Sequence, residues 1–120
     1  MNKKLLELGK QICTKIGSHD IECVDTMVID NIEYAFAEVE SMTWESEGKY
    51  DIGQSIWQIG FADEECSWNI KEGRKLDLYI MQCASRTGSY YSDYYYEYDE
   101  PFVVESKEIV TREWIQIKED

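Results

Sequence analysis

Leu5, Leu8, Ile12 and Ile16 recur at three- and four-residue intervals, and Leu6 and Cys13 widen the stripe. That spacing predicts an amphipathic helix over residues 3–16 with a basic outer face, and Gly17 is placed to stop it. After the helix the period changes to two. Ile32, Tyr34 and Phe36 alternate with Glu33, Ala35 and Ala37 before Val39 and Met42 fall out of phase, which predicts a strand over 32–43 containing a bulge or bend. Trp57, Ile59 and Phe61 alternate with Ile56, Gln58 and Gly60 in a strand over 55–62. The cleanest alternation sets Leu76, Leu78 and Ile80 against Asp77, Tyr79 and Met81, a strand over 75–83. Phe102–Glu105 and Ile109–Ile117 read as two further strands, with Trp114 on the face opposite Ile115 and Ile117. Residues 21–29 fit a strand or a short helix equally well, and the polar run 45–54, with Gly48 and Gly53, reads as a hairpin loop.

Helix first, then strands joined by short connections, predicts an α+β fold: an N-terminal amphipathic helix packed on a largely antiparallel sheet of about five strands. The 120 residues make one domain of ordinary size, 1–120, able to bury a core without metals or disulfides. Hydrophobic residues at 43% exclude an acidic disordered tail. Cys13, Cys23, Cys66 and Cys83 are too far apart in sequence for a zinc or redox motif and are expected to be buried thiols of a reducing cytosol. With no cleavable leader and no apolar run of membrane-spanning length, the chain reads as soluble and cytoplasmic.

Charge narrows the function. The net charge is −13, which sets the protein against nucleic acid and anionic lipid and in favour of a cationic partner. The first 18 residues carry four lysines against Glu7, so the acidity belongs to the body of the chain; Ser18 to Gly48 has no Lys or Arg at all. Glu33, Glu38 and Glu40 on the predicted strand would form an outward row, recurring at about the spacing of phosphates along a nucleic-acid strand.

The chain's most unusual stretch is Gly88–Pro101, which holds six of the nine tyrosines with four carboxylates and no cation. Tyrosine offers rigid contact area and carboxylates accept bonds from arginine, so Tyr90, Tyr91, Asp93, Tyr94, Tyr95, Tyr96, Glu97 and Asp99 are the candidate partner-binding cluster, supported by Glu33, Glu38 and Glu40. The blander reading is a hairpin whose rings lie over the sheet and whose acids keep it soluble.

Catalytic and cofactor motifs are missing. His19 is the only histidine and has no nucleophile elbow, the glycines form no phosphate-binding turn, and a calcium loop begun at Asp93 would place Tyr98 where glycine is required. Glu105-Ser106-Lys107 matches a nuclease pattern only loosely, and the acidic chain would repel that substrate. No enzyme activity, metal or cofactor is expected.

The Tyr/Asp-rich segment, the acidic residue before Pro101 and the closing run Glu108-Ile109-Val110-Thr111-Arg112-Glu113-Trp114 resemble the C-terminal third of short proteins of tailed bacteriophages and prophages, over residues 75–117. The resemblance implies a small acidic inhibitor of bacterial defence, of the anti-CRISPR or anti-restriction kind, some of which mimic DNA; it carries over no functional residue. The expected function is therefore a non-enzymatic acidic protein-binding module occupying the basic nucleic-acid-binding site of a host protein. The alternatives are a small-ligand-binding protein with a pocket framed by Trp44, Trp57, Trp68 and the tyrosines, or a structural or assembly component.

Overall fold

Asn2 opens the chain's only α-helix among the described residues, its Oδ1 accepting from Lys4 N at 2.8 Å. Helix α1 spans Lys3–Ile16, and Gly17 closes it at φ 56°, a backbone setting that favours glycine. The computed structural model describes residues 2–24, 26–46, 48–62, 75–89, 92–107 and 113–117. After α1 a 3₁₀ turn at Ile21–Cys23 leads into strands β1 (Thr26–Ile29), β2 (Ile32–Glu40), β3 (Glu45–Ser46), β4 (Tyr50–Phe61), β5 (Lys75–Ser89), β6 (Ser92–Tyr98), β7 (Phe102–Lys107) and β8 (Glu113–Gln116).

All eight strands join one sheet in the order β1-β2-β4-β5-β7-β8, and every pairing is antiparallel. β3 lies beside the first residues of β4 and β6 beside the far end of β5. The expectation of about five strands is overturned, because this mostly antiparallel sheet is richer in strand than the apolar alternation implies. Two causes are visible. β1 and β2 close through Asp30-Asn31, both at positive φ (51° and 66°), the two-residue turn that matches strand twist. The polar stretches at 50–54 and 92–98, read as loops, are strands whose backbones pair with β5 on both sides. Being little buried, they carry no apolar period.

The bulge expected in 32–43 falls at Val39, where the register passes from Glu38↔Trp57 to Glu40↔Ile56. A second break, at Asp99–Pro101, separates β6 from β7 along the same edge of β5. These breaks divide the sheet into a near half, covered by α1, and a far half built from β3, β4, β5 and β6.

On the near half Ile12 and Ile16 of α1 pack with Phe36, Trp57, Ile59, Leu78, Ile80 and Val103 in the main core. The helix comes closest at Gly9, where an added Cβ would stand 2.7 Å from Val103 Cγ2. The stripe is therefore turned toward Gly9 and Cys13, leaving Leu5 and Leu8 only half-buried. On the opposite face Ile56, Met81 and Val104 form a smaller core with Tyr79, Phe102 and Trp114.

Gln82, fully buried, joins the pieces. Its Oε1 accepts from Ile21 N at 3.1 Å, while Nε2 donates to His19 O at 2.7 Å and Asp99 O at 3.2 Å. One side chain thus ties the helix exit to the break between β6 and β7.

Candidate functional site

Register in the far half generates two rows of side chains, one on each face. The row Ser46–Asp51–Arg86–Tyr96 crosses β3, β4, β5 and β6 on the helix side. Arg86 Nε donates to Asp51 Oδ2 at 2.8 Å, and its guanidinium carbon lies 4.6 Å from the centre of the Trp44 ring. Trp44 is tilted against Tyr96 at 5.8 Å, and Tyr96 stacks on Tyr98 at 6.4 Å. Burial, then the charge and hydrogen bond of Asp20, push the Tyr98 hydroxyl up to about 12.

The tyrosine stretch is thus not cation-free in space. Across from it Arg86 organises Trp44 and Tyr96, so part of the stretch packs rather than being displayed.

The second row, Glu45–Ile52–Ser85–Glu97, lies on the face away from the helix. Two residues further along the sheet Gln54 pairs with Cys83, and beyond them Ile56 pairs with Met81. These side chains form the floor of an open trough of about 710 Å³, with Glu40 and Glu45 at one side, Asp99 at the other and Trp114 at its near end. Trp114 is held there by Tyr79, 5.2 Å between ring centres. Among the described residues no Lys or Arg lines the trough. Gly53 allows the segment crossing from β2 to β3 to lie directly against β4, since a Cβ there would meet Met42 Sδ at 2.8 Å.

The candidate residues separate accordingly. Glu33 accepts from Thr26 Oγ1 at 3.4 Å and Glu38 from Ser41 Oγ at 2.7 Å, whereas the carboxylates of Glu40 and Glu45 have no partner among the described residues. The bulge at Val39 turns Glu40 to the trough face, while Glu38 stands in register with Trp57 on the helix face. Glu33, Glu38 and Glu40 therefore do not form one outward row. Tyr95 and Glu97 belong to the trough face, with Tyr95 66% exposed, and Tyr96 belongs to the other. Asp99 lines the trough. Asp93 and Tyr94 are placed on β6 by their backbone, and Tyr90 and Tyr91 lie outside the described residues.

Trp57 is buried in the main core and Trp44 belongs to the Arg86 cluster, so neither frames the trough; Trp68 lies outside the described residues. The sequence reading missed Ile52, Gln54, Met81, Cys83 and Glu45. Only Met81 and Cys83 stood in a recognisable alternation, on the polar side of the predicted strand 75–83.

Burial pushes the Cys13 thiol up to about 12 and raises Cys83, with Glu100 and Asp99 adding to the respective shifts, while Cys23 is exposed. Among the described residues no group of three or more His, Cys, Asp or Glu is gathered to hold a metal ion, and no helix is long and apolar enough to cross a membrane.

Residues 61–117, a little under half of the chain, match the family model described as Phage T4 Y04K protein, which supports a small phage protein. The match takes in β5 to β8, and with them Met81, Cys83, Asp99 and Trp114 of the trough. It begins before the stretch 75–117 on which the phage resemblance was expected. No curated protein and no solved structure matches the chain.

Proposed function

We propose that this chain is a non-enzymatic, acidic protein-binding module of phage origin that occupies the basic nucleic-acid-binding site of a host protein. The observation that carries the reading is the trough face: an exposed Ile52 between the carboxylates of Glu40, Glu45 and Asp99, with no cation among the described residues of its lining, on a chain of net charge −13. The carboxylates of Glu40 and Glu45, without partners among the described residues, are available to arginine and lysine, and the acidic field accelerates encounter with a basic surface. A host protein that binds nucleic acid presents such a surface, and a phage gains from blocking it where it serves defence.

The test is capture from lysate of a bacterial host at about 0.05 and about 0.5 M salt, spanning strong to weak screening of charge. The expected result is a nucleic-acid-binding protein held at low salt, released at high salt, and displaced by added duplex DNA or RNA. Capture that ignores both salt and nucleic acid, or no capture at all, overturns the proposal.

A second reading is supported by the size of the trough, which lies in the range of small-molecule sites. It requires a cationic small ligand that raises the melting temperature of the isolated protein.

A further inference from the structure

The trough's dimensions point to one kind of occupant. Glu45 and Glu97 end the same cross-strand row, separated by three strand spacings, or about 14 Å. Ile52 and Ile56, four residues apart on β4, set a floor about 14 Å long. An α-helix with its side chains is about 10 to 12 Å across, so one helix fits between the two acidic rims with its flanking side chains against them. Ile52, 39% exposed, supplies the apolar contact, while Ile56 and Met81 are buried in the small core beside it. Glu40 and Glu45 on one flank, and Glu97 and Asp99 on the other, are aligned for lysine or arginine on both sides of that helix.

We infer that the trough binds a basic amphipathic helix of the partner protein, apolar face down on Ile52 and cationic flanks on the two rows of carboxylates. This rests on the protein-binding reading above and names the element that is bound. Helix α1 covers only the near half of the sheet on its other face, so a helix bound in the trough supplies a covering layer to strands that α1 leaves bare. An extended strand is a poorer fit, because it would reach only one rim at a time. A second copy of this chain is opposed by charge, each copy carrying −13.

The probe is a fluorescein-labelled synthetic helix of about 14 residues, about 21 Å long, with leucines on one face and lysine and arginine flanking them. Its controls are the same composition scrambled to destroy the apolar face, and the same pattern with glutamate flanks. Binding is read by fluorescence anisotropy on the full chain and on three variants: Glu45→Gln/Glu97→Gln, Ile52→Asp, and the distant pair Glu7→Gln/Glu22→Gln, with folding checked by circular dichroism.

The patterned basic helix is expected to bind and the controls to bind at least about tenfold more weakly, with loss of about tenfold in Glu45→Gln/Glu97→Gln and more in Ile52→Asp. Glu7→Gln/Glu22→Gln matches the charge change away from the trough and should leave affinity within about twofold. No binding by the patterned helix, equal binding by the scrambled one, or equal loss in the distant pair overturns the inference. If host-protein capture nonetheless persists in Ile52→Asp, the protein-binding reading stands and the trough is not its site.

Discussion

Arg86 and Trp44 are 42 positions apart in sequence, yet the Arg86 guanidinium carbon lies 4.6 Å from the centre of the Trp44 ring. The arginine is fixed from the other direction by Asp51, and both side chains of that pair are mostly buried, at 23% and 22% exposure. Among the described residues no α-helix lies over the far half of the sheet. Arg86 takes the place of a core there, joining β3, β4 and β6 through one planar cation on the strand between them.

Arg86→Ala is therefore expected to destabilise the fold by about 1 to 2 kcal/mol, since it removes the ring contact and leaves Asp51 unneutralised in an acidic chain. Arg86→Lys should recover less than half of that, because an ammonium keeps the charge but not the flat face. Urea unfolding measures both; a loss below about 0.3 kcal/mol for Arg86→Ala, the range of ordinary surface changes, contradicts the structural role.

Gly9 tests the packing of the helix. Alanine there gains about 1 kcal/mol of helix propensity. Its Cβ would also stand 2.7 Å from Val103 Cγ2 and 3.0 Å from Leu78 Cδ1, and both neighbours are buried. Overpacking of this kind costs about 1 to 3 kcal/mol, so Gly9→Ala should be net destabilising. In a Val103→Ala background the nearer obstacle is gone and the sign should reverse. A stabilising Gly9→Ala in the unchanged chain would mean that α1 stands further from the sheet.

These two sites also show where the fold was legible. Helix α1 and the centres of β4 and β5 follow from alternation because their side chains are divided between core and surface, as Leu78 and Ile80 are from Asp77. The far half is built differently. Tyr50, Asp51, Gln54 and Tyr95 are strand residues by virtue of backbone pairing and cross-strand contacts, which leave no apolar period. The trough was hidden for a related reason. Its rims come from Glu45, in a two-residue strand that looked like loop, and from Glu40, whose face depends on the bulge at Val39. Charge and tyrosine content marked Glu97, Tyr95 and Asp99 as candidates, but pairing with β5 decides which side of the sheet each one serves.

Gln82 is the most exacting polar site. Replacing it with leucine of similar size leaves Ile21 N–H and the carbonyls of His19 and Asp99 without their partner in the interior. Each buried group left unsatisfied costs about 1 to 3 kcal/mol, with partial relief from water at the helix exit, so Gln82→Leu is expected to lose about 2 to 4 kcal/mol. Amide exchange should identify the cause: Ile21 N–H ought to lose protection out of proportion to the global loss. Uniform loss of protection would instead indicate a simple packing defect.

Tyr98 links the tyrosine strand to the helix exit and makes stability depend on alkaline pH. Its hydroxyl is pushed from the ordinary value near 10 up to about 12, chiefly by burial and then by the charge and hydrogen bond of Asp20. The folded state thus holds the proton more tightly than the unfolded state. The stabilisation is complete below about pH 10 and is lost as pH rises from about 10 to about 12, where the unfolded chain ionises first. Tyr98→Phe has no proton to lose, so the stability difference between the natural chain and this variant should shrink across that window. Asp20→Asn removes the neighbouring charge and should bring the hydroxyl part of the way back toward its ordinary value, so that the loss still begins near pH 10 but is smaller and ends at lower pH. Urea unfolding at about pH 9, 10 and 11 follows the difference across the start of this window. A gap between the natural chain and Tyr98→Phe that stays constant over that range would mean that Tyr98 ionises as an ordinary exposed tyrosine does, and that Asp20 does not hold it.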